Sequence, residues 1–301
     1  MQVPATKLEI EQELARRSIA FFVRYAWPIV EPGAQLVWNW HLDIICDALQ
    51  KQVEGDDDYR KLLICVPPGS MKSLLVSVFA PAWEWLRNPS RRKIFLANDD
   101  DLASRDSRRM RDLIMSDWYQ SVAAVAAWRA NVDRWELAPD QREKVNYATT
   151  AGGFRMARSM GSKITGKRGD DIVIDDPMDA REVVNGSMDQ IGKRLAAVNN
   201  VIEKVLPSRV NNLRTARWTM IMQRLHEDDP AGRAIADGSW HVVNIQMQFE
   251  PGNALNHPDD ERTEPDELMF PELFPLDEIE KLKVRLGNEY FAQYQQRPAP
   301  R

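Results

Sequence analysis

The chain has only two cysteines, Cys46 and Cys65, in 301 residues. Both lie in apolar stretches, so no disulfide framework can be drawn, and free buried thiols suit a reducing compartment. No apolar run approaches the roughly 20 residues that a membrane span needs. Charges at Lys7, Glu9, Glu11, Glu13, Arg16 and Arg17 exclude a secretory signal at the N-terminus. The expectation is a soluble, cytosolic protein. A large charge of one sign is missing too: 40 basic against 45 acidic side chains give a net charge of −5. That excludes indiscriminate polyanion binding and confines any nucleic-acid contact to a local patch. Internal repeats are absent. Asn185-Gly186-Ser187 spells a glycosylation acceptor, which in a cytosolic protein reads as a surface turn.

Hydrophobic residues make up 44% of the chain and charged residues 28%, enough for one large globular domain or a domain with an appendage. Periodicity and breakers predict helices over 7–25 and 36–53, an acidic turn over 55–58, a strand over 62–66 and a helix over 72–86 stopped by Asn88-Pro89. A strand over 93–97 and a helix over 101–119 follow. Residues 135–157 suit short hairpins, 172–174 and 218–222 read as buried strands, and 189–205 as a helix. Alternating strands and helices of this kind belong to a parallel-sheet α/β fold. After Ile245 the prolines Pro251, Pro258, Pro265, Pro271 and Pro275 punctuate an acidic segment of linker composition, closed by a helix over 276–286 and a segment over 289–296. We therefore divide the chain into a main domain, 1–250, and a small linker subdomain, 251–301.

Between the first strand and its helix stands Val66-Pro67-Pro68-Gly69-Ser70-Met71-Lys72-Ser73. A strand, a tight turn and a helix N-terminus make a phosphate cradle, formed here by Pro68, Gly69, Ser70 and Met71. Lys72 reaches the terminal phosphates and Ser73 ligates their magnesium ion. Glycine is lacking where the usual pattern wants it, at Val66 and Met71. Met71 forgoes the glycine's freedom at positive φ, which predicts weak nucleotide affinity in the isolated chain.

Ligands of open parallel sheets sit beyond the carboxyl ends of the strands, where Lys72, Asp175 and Gln223 converge. In Ile172-Val173-Ile174-Asp175-Asp176 the first acid holds Mg²⁺ with Ser73, and the second orients or deprotonates the attacking water. Alone, such a run is more often a strand with a polar turn; after the phosphate loop it reads as nucleotide hydrolysis. The basic loop Gly161-Ser162-Lys163-Ile164-Thr165-Gly166-Lys167-Arg168-Gly169-Asp170 brings Arg168 or Lys167 toward a phosphate, or is simply solvated. At the tip of the strand over 218–222, Gln223-Arg224 either senses the γ-phosphate or starts an ordinary cap.

Taken together, Pro67-Pro68, Gly161-Ser162, Thr165 to Asp170 leading into Ile174-Asp175-Asp176-Pro177, Gln223-Arg224-Leu225-His226-Glu227-Asp228-Asp229-Pro230-Ala231-Gly232 and the ending Tyr294-Gln295-Gln296-Arg297-Pro298 resemble the large terminase subunit of tailed bacteriophages, over residues 38–301. The resemblance implies a P-loop NTPase fold of the ASCE type, with a central, mostly parallel sheet flanked by helices. It implies an ATP- and Mg²⁺-dependent motor that drives double-stranded DNA through a portal protein into a procapsid. Partners would be a small terminase subunit and further copies of the chain in a ring, as a pentamer, in the host cytoplasm and transiently on the procapsid. His41, beside Trp40, matches the family's adenine-recognising position. A trans-acting arginine is implied, with Arg168 the first candidate and Arg158 next, and Arg224 as a coupling residue.

Departures from the family pattern carry expectations of their own. The loop arginine of many relatives is Gly69 here, so its work falls to Arg168 or Arg224. The second acid, Asp176, is one methylene shorter than the commoner glutamate. The chain ends where a nuclease domain would begin, so DNA cleavage is not expected. Basic groups that could line a DNA pore are Arg105, Arg108 and Arg109 at helical spacing with Arg111 nearby, and Lys193, Arg194, Lys204, Arg209, Arg214 and Arg217; the plain reading of the first set is a solvated helix face. Two alternatives to the packaging ATPase stand: a helicase-like translocase, and a catalytically weak nucleotide-binding module that only docks.

Overall fold

The computed structural model describes residues 6–142, 145–162, 164 and 166–299. Its strands are β1 (Lys61–Cys65), β2 (Arg92–Ala97), β3 (Leu137–Arg142), β4 (Tyr147–Thr149), β5 (Phe154–Ser159), β6 (Asp171–Asp175), β7 (Arg217–Met222) and β8 (His241–Asn244). They form one sheet in the order β3-β4-β5-β2-β6-β7-β1-β8. From β5 to β8 every neighbouring pair is parallel, and β3–β4 and β4–β5 are antiparallel.

The strands sort their side chains by alternation, as a sheet covered on both faces requires. Leu62 and Ile64 of β1 enter one apolar cluster with Phe95, Ala97 and Val173, while Leu63 and Cys65 enter the other with Ile94, Leu96, Ile172 and Ile174. The first cluster is roofed by helices Lys7–Arg17, Ile19–Val30, Trp40–Glu54, Asp100–Met115 and Asp117–Ala130, the second by Met188–Asn200 and Pro230–Asp237. Met269, Phe270, Ile279 and Tyr290 also join the first cluster, so the proline-punctuated C-terminal segment packs onto the same core. Cys46 and Cys65 are free and buried.

Several boundaries move, each for a local reason. The helix expected over 7–25 breaks at Ser18, where the Ile19 N–H donates to Gln50 Oε1 at 3.1 Å, and Pro28 lies inside the second helix. The helix expected over 101–119 breaks at Ser116, whose Oγ accepts from the Tyr119 N–H and starts a new helix. β5 ends the hairpin series but pairs parallel with β2, and β8 was not anticipated. Ser187 caps helix Met188–Asn200.

At the amino ends of β2, β6 and β7, Lys93, Asp171 and Arg217 meet Glu84 and Arg91 in a buried ion network. Burial opposes ionisation of Asp171, yet Lys93, Arg217 and Arg91 together hold its carboxyl well below the usual range. Arg217, expected in a basic group that could line a DNA pore, is therefore part of the core at the edge away from the turn that follows β1. Among the described residues no helix is long and apolar enough to cross a membrane.

Candidate functional site

The carboxyl ends of β1, β6 and β7 deliver Lys72, Asp175, Asp176 and Gln223 to one place. Lys72 Nζ donates to Asp176 Oδ1 at 2.7 Å and to Gln223 Oε1, and its side chain is 8% exposed. Ser73 Oγ donates to Asp175 Oδ1 at 2.8 Å. Ser77, one helical turn on, donates to Asp175 Oδ2 at 2.8 Å. Burial, then the neighbouring charges of Asp176 and Asp106, push the Asp175 carboxyl up to about 7 against the pull of these two hydroxyls. A cation at this carboxylate would relieve both penalties. The donors around it are hard oxygens, from Asp175 and Ser73, and these suit Mg²⁺. Among the described residues no group of three or more His, Cys, Asp or Glu side chains could hold a metal ion.

The loop keeps its shape despite the missing glycines. Met71 adopts φ 59°, the left-handed conformation a glycine would supply, and Asp176 sits at φ 41°. The expected loss of that conformation does not occur; a strain of about 1–2 kcal/mol at Met71 accompanies it instead. Gly69, at φ 82°, carries the ring of Phe274 against it, 2.9 Å from where a β-carbon would stand. This is a physical reason for the absence of a loop arginine: a side chain at position 69 is both strained and obstructed. Ser70 Oγ donates to the Pro67 carbonyl at 2.7 Å and closes the turn.

His41 is wholly buried behind the loop, its ring 5.4 Å from Phe270, with Nδ1 held by Asn39 Nδ2 at 2.8 Å. Burial lowers it to about 4, the Ser70 backbone opposing and Arg262 adding, and Nε2 has no partner of acceptable geometry among the described residues. With no exposed atom, its ring is closed off from solvent. It packs the underside of the loop.

Arg224, expected as a catalytic and coupling residue, is also tied down. Its Nε donates to Asp229 at 2.9 Å, its Nη2 to the carbonyls of His226 and Glu227, and its N–H to Gln296 Oε1. The motif from Gln223 to Gly232 is a self-contained cap. Gly232 is obligatory within it, because a β-carbon there would lie 1.9 Å from the Glu227 carbonyl. Gln296, from the Tyr-Gln-Gln-Arg-Pro ending, ties the C-terminal segment to the tip of β7. Gln223 is the member of this motif that reaches Lys72.

In the loop 161–170, Lys163 and Thr165 lie outside the described residues. Arg168 is exposed and makes no hydrogen bond or ion pair to any described residue, Lys167 lies over the Phe154 ring, and Arg158 donates to Asn146 Oδ1 at 2.9 Å. The helix Asp100–Met115 buries Met110, Leu113 and Ile114. Its Arg105 pairs with Asp106, and Arg109 with Glu31, while Arg108 is exposed and, among the described residues, bound only to the Ser104 carbonyl. Lys193 pairs with Asp189, and Arg194 with Glu182 and Asn98. Six of the ten anticipated basic residues are thus paired with acids, and Arg108, Lys204, Arg209 and Arg214 make no ion pair among the described residues. Residues that sequence reasoning passed over are Ser77, Arg155 and Phe274; only Ser77, four positions after Ser73 on the same helix, left a readable signal.

No family model matches the chain and no curated protein matches its sequence. Among solved structures it is similar to the HK97 bacteriophage large terminase, at TM-score 0.48 and 13% identity over 79% of this chain and 45% of that one. It is also similar to a mutant ATPase domain of the large terminase of Thermus phage P74-26, at TM-score 0.42 and 11% identity over 80% of this chain and 89% of that one. The chain thus spans less than half the length of the first, and its structural neighbours are phage large terminases.

Proposed function

We propose that this chain hydrolyses ATP as the ATPase part of a viral DNA-packaging motor. The carrying observation is the convergence of Lys72, Asp176 and Gln223, with Ser73 and Asp175 alongside, from three separate strand ends. The position of β7 between β1 and β6 supports an ASCE-type P-loop arrangement. Lys72 exchanges its two present partners for the terminal phosphates, which releases Asp176 to orient and deprotonate a water. Gln223, freed with it, reports the γ-phosphate to β7. Ser73 and Asp175 would hold the magnesium that accompanies the nucleotide, which would supply positive charge beside the phosphates. Arg224, through Asp229 and Gln296, couples the tip of β7 to the C-terminal segment. No charge from the loop itself replaces the arginine missing at Gly69, so a neighbouring copy supplies one, with exposed Arg168 the first candidate and Arg158 the second. On this reading the chain works in a pentameric ring on double-stranded DNA with a portal protein and a small terminase subunit, in the cytoplasm and on the procapsid.

Phosphate release by the purified chain over a concentration series tests the reading. Activity should rise more than linearly with protein and vanish in Lys72→Ala and Asp176→Asn. Wild type indistinguishable from Lys72→Ala at high concentration would sink it.

A further inference from the structure

Behind the proposed metal carboxylate lies a guanidinium that forms no ion pair with a carboxylate among the described residues, though Asp106 and Asp175 are near enough to act on its charge. Arg155, on β5, is 1% exposed, stacks 3.6 Å from the centroid of the Phe95 ring, and leaves Nε with no partner among the described residues. Its Nη1 donates to the Ser77 carbonyl at 2.6 Å and lies 3.0 Å from Met110 Sδ. A buried charge left without an ion pair is costly, so its retention calls for a local reason. Ser77 supplies one. It sits in a π turn, Leu75–Phe79, interposed between the helical segments Lys72–Leu74 and Ala80–Trp85, and such turns are rare and concentrate at functional sites. From this turn its carbonyl accepts from Arg155 while its hydroxyl donates to Asp175 Oδ2.

The two hydroxyls on Asp175 have different prospects. Ser73 Oγ, which donates to Asp175 Oδ1, keeps lone pairs to offer a cation, whereas Ser77 is 3% exposed and one turn deeper. We propose that Ser77 and Arg155 are positioning residues: Arg155 fixes the π turn through the Ser77 carbonyl, and the Ser77 hydroxyl holds Asp175 at the angle a divalent cation requires. The inference rests on the ATP-site reading. It adds a support that reaches from the metal carboxylate across to β5.

Partners of metal ligands that fix their orientation typically change metal affinity by roughly 10- to 100-fold when removed. The test is Mn²⁺ binding by the full chain with saturating ADP, followed by the paramagnetic resonance of free Mn²⁺, beside metal-free ADP binding by calorimetry. Ser77→Ala should weaken Mn²⁺ by roughly 10-fold or more and leave metal-free ADP affinity within about twofold, while Ser77→Thr, which keeps the hydroxyl, restores Mn²⁺ affinity. Arg155→Met, if it folds, should weaken Mn²⁺ in the same sense. Mn²⁺ affinity unchanged in Ser77→Ala, with wild type binding both ligands, overturns the positioning role alone. A wild-type chain that binds neither Mn²⁺ nor ADP overturns the ATP site and this role with it.

Discussion

Replacing Gly69 by alanine puts two distinct costs on one residue. The first is conformational, because φ 82° is a left-handed setting that costs a non-glycine residue about 1–2 kcal/mol. The second is steric, because the added β-carbon lies 2.9 Å from Phe274 Cζ, closer than carbon atoms pack. The ring is the free end of a half-buried side chain, so it can swing aside, and overpacking of this kind costs about 1–3 kcal/mol. Gly69→Ala should therefore destabilise by about 2–5 kcal/mol, read as a lower urea midpoint at unchanged slope. A double-mutant cycle separates the terms. In a Phe274→Ala background the same substitution should cost only the conformational share, about 1–2 kcal/mol, a coupling of at least about 1 kcal/mol. A cost below about 0.5 kcal/mol, or equal costs in the two backgrounds, would refute the reasoning.

Gly232→Ala should be harsher, since the obstructing atom is the Glu227 carbonyl at 1.9 Å and backbone cannot swing aside; a loss of more than about 3 kcal/mol is expected, with release of Arg224 from Asp229 detectable as a lost protection of the neighbouring amides. His41 gives a pH signature: neutral in both states above about 6.5, it takes a proton in the unfolded chain but not in the fold between there and about 4. Stability from this residue is thus lost as pH falls through that window, by about 3 kcal/mol in all, and His41→Gln should flatten that part of the acid limb relative to wild type. Arg217→Met should cost about 3–5 kcal/mol, because Asp171 and Glu84 lose a buried partner, and added salt should not change the loss. A salt-dependent or negligible effect would return Arg217 to the surface group.

The residue types that make the site were legible because each carries its chemistry in local order. A buried strand followed by Lys72-Ser73, another ended by Asp175-Asp176 and a third by Gln223 predicts convergence, since parallel strands end on one edge. The alternation of Leu62, Leu63, Ile64 and Cys65 between the two faces follows from the same pleat. Where the sequence misled, the deciding partner lay far along the chain. Arg217 read as part of a basic surface group until Glu84 and Asp171 covered it, and His41 proved to be buried under Phe270. The Arg224 backbone N–H is claimed by Gln296, 72 positions on.

Sequence alone thus determined most of the strands and helices, the turn from Pro67 to Ser73 and the two acids at the tip of β6, because propensity and hydrophobic period act over a few residues. Tertiary structure alone decided that Met71 takes a glycine's conformation, that Phe274 closes on Gly69, and that Ser77 and Arg155 stand behind Asp175. The last two depend on contacts that form only when packing brings together residues far apart in the chain, 78 positions for Arg155 and Ser77 and 98 for Ser77 and Asp175.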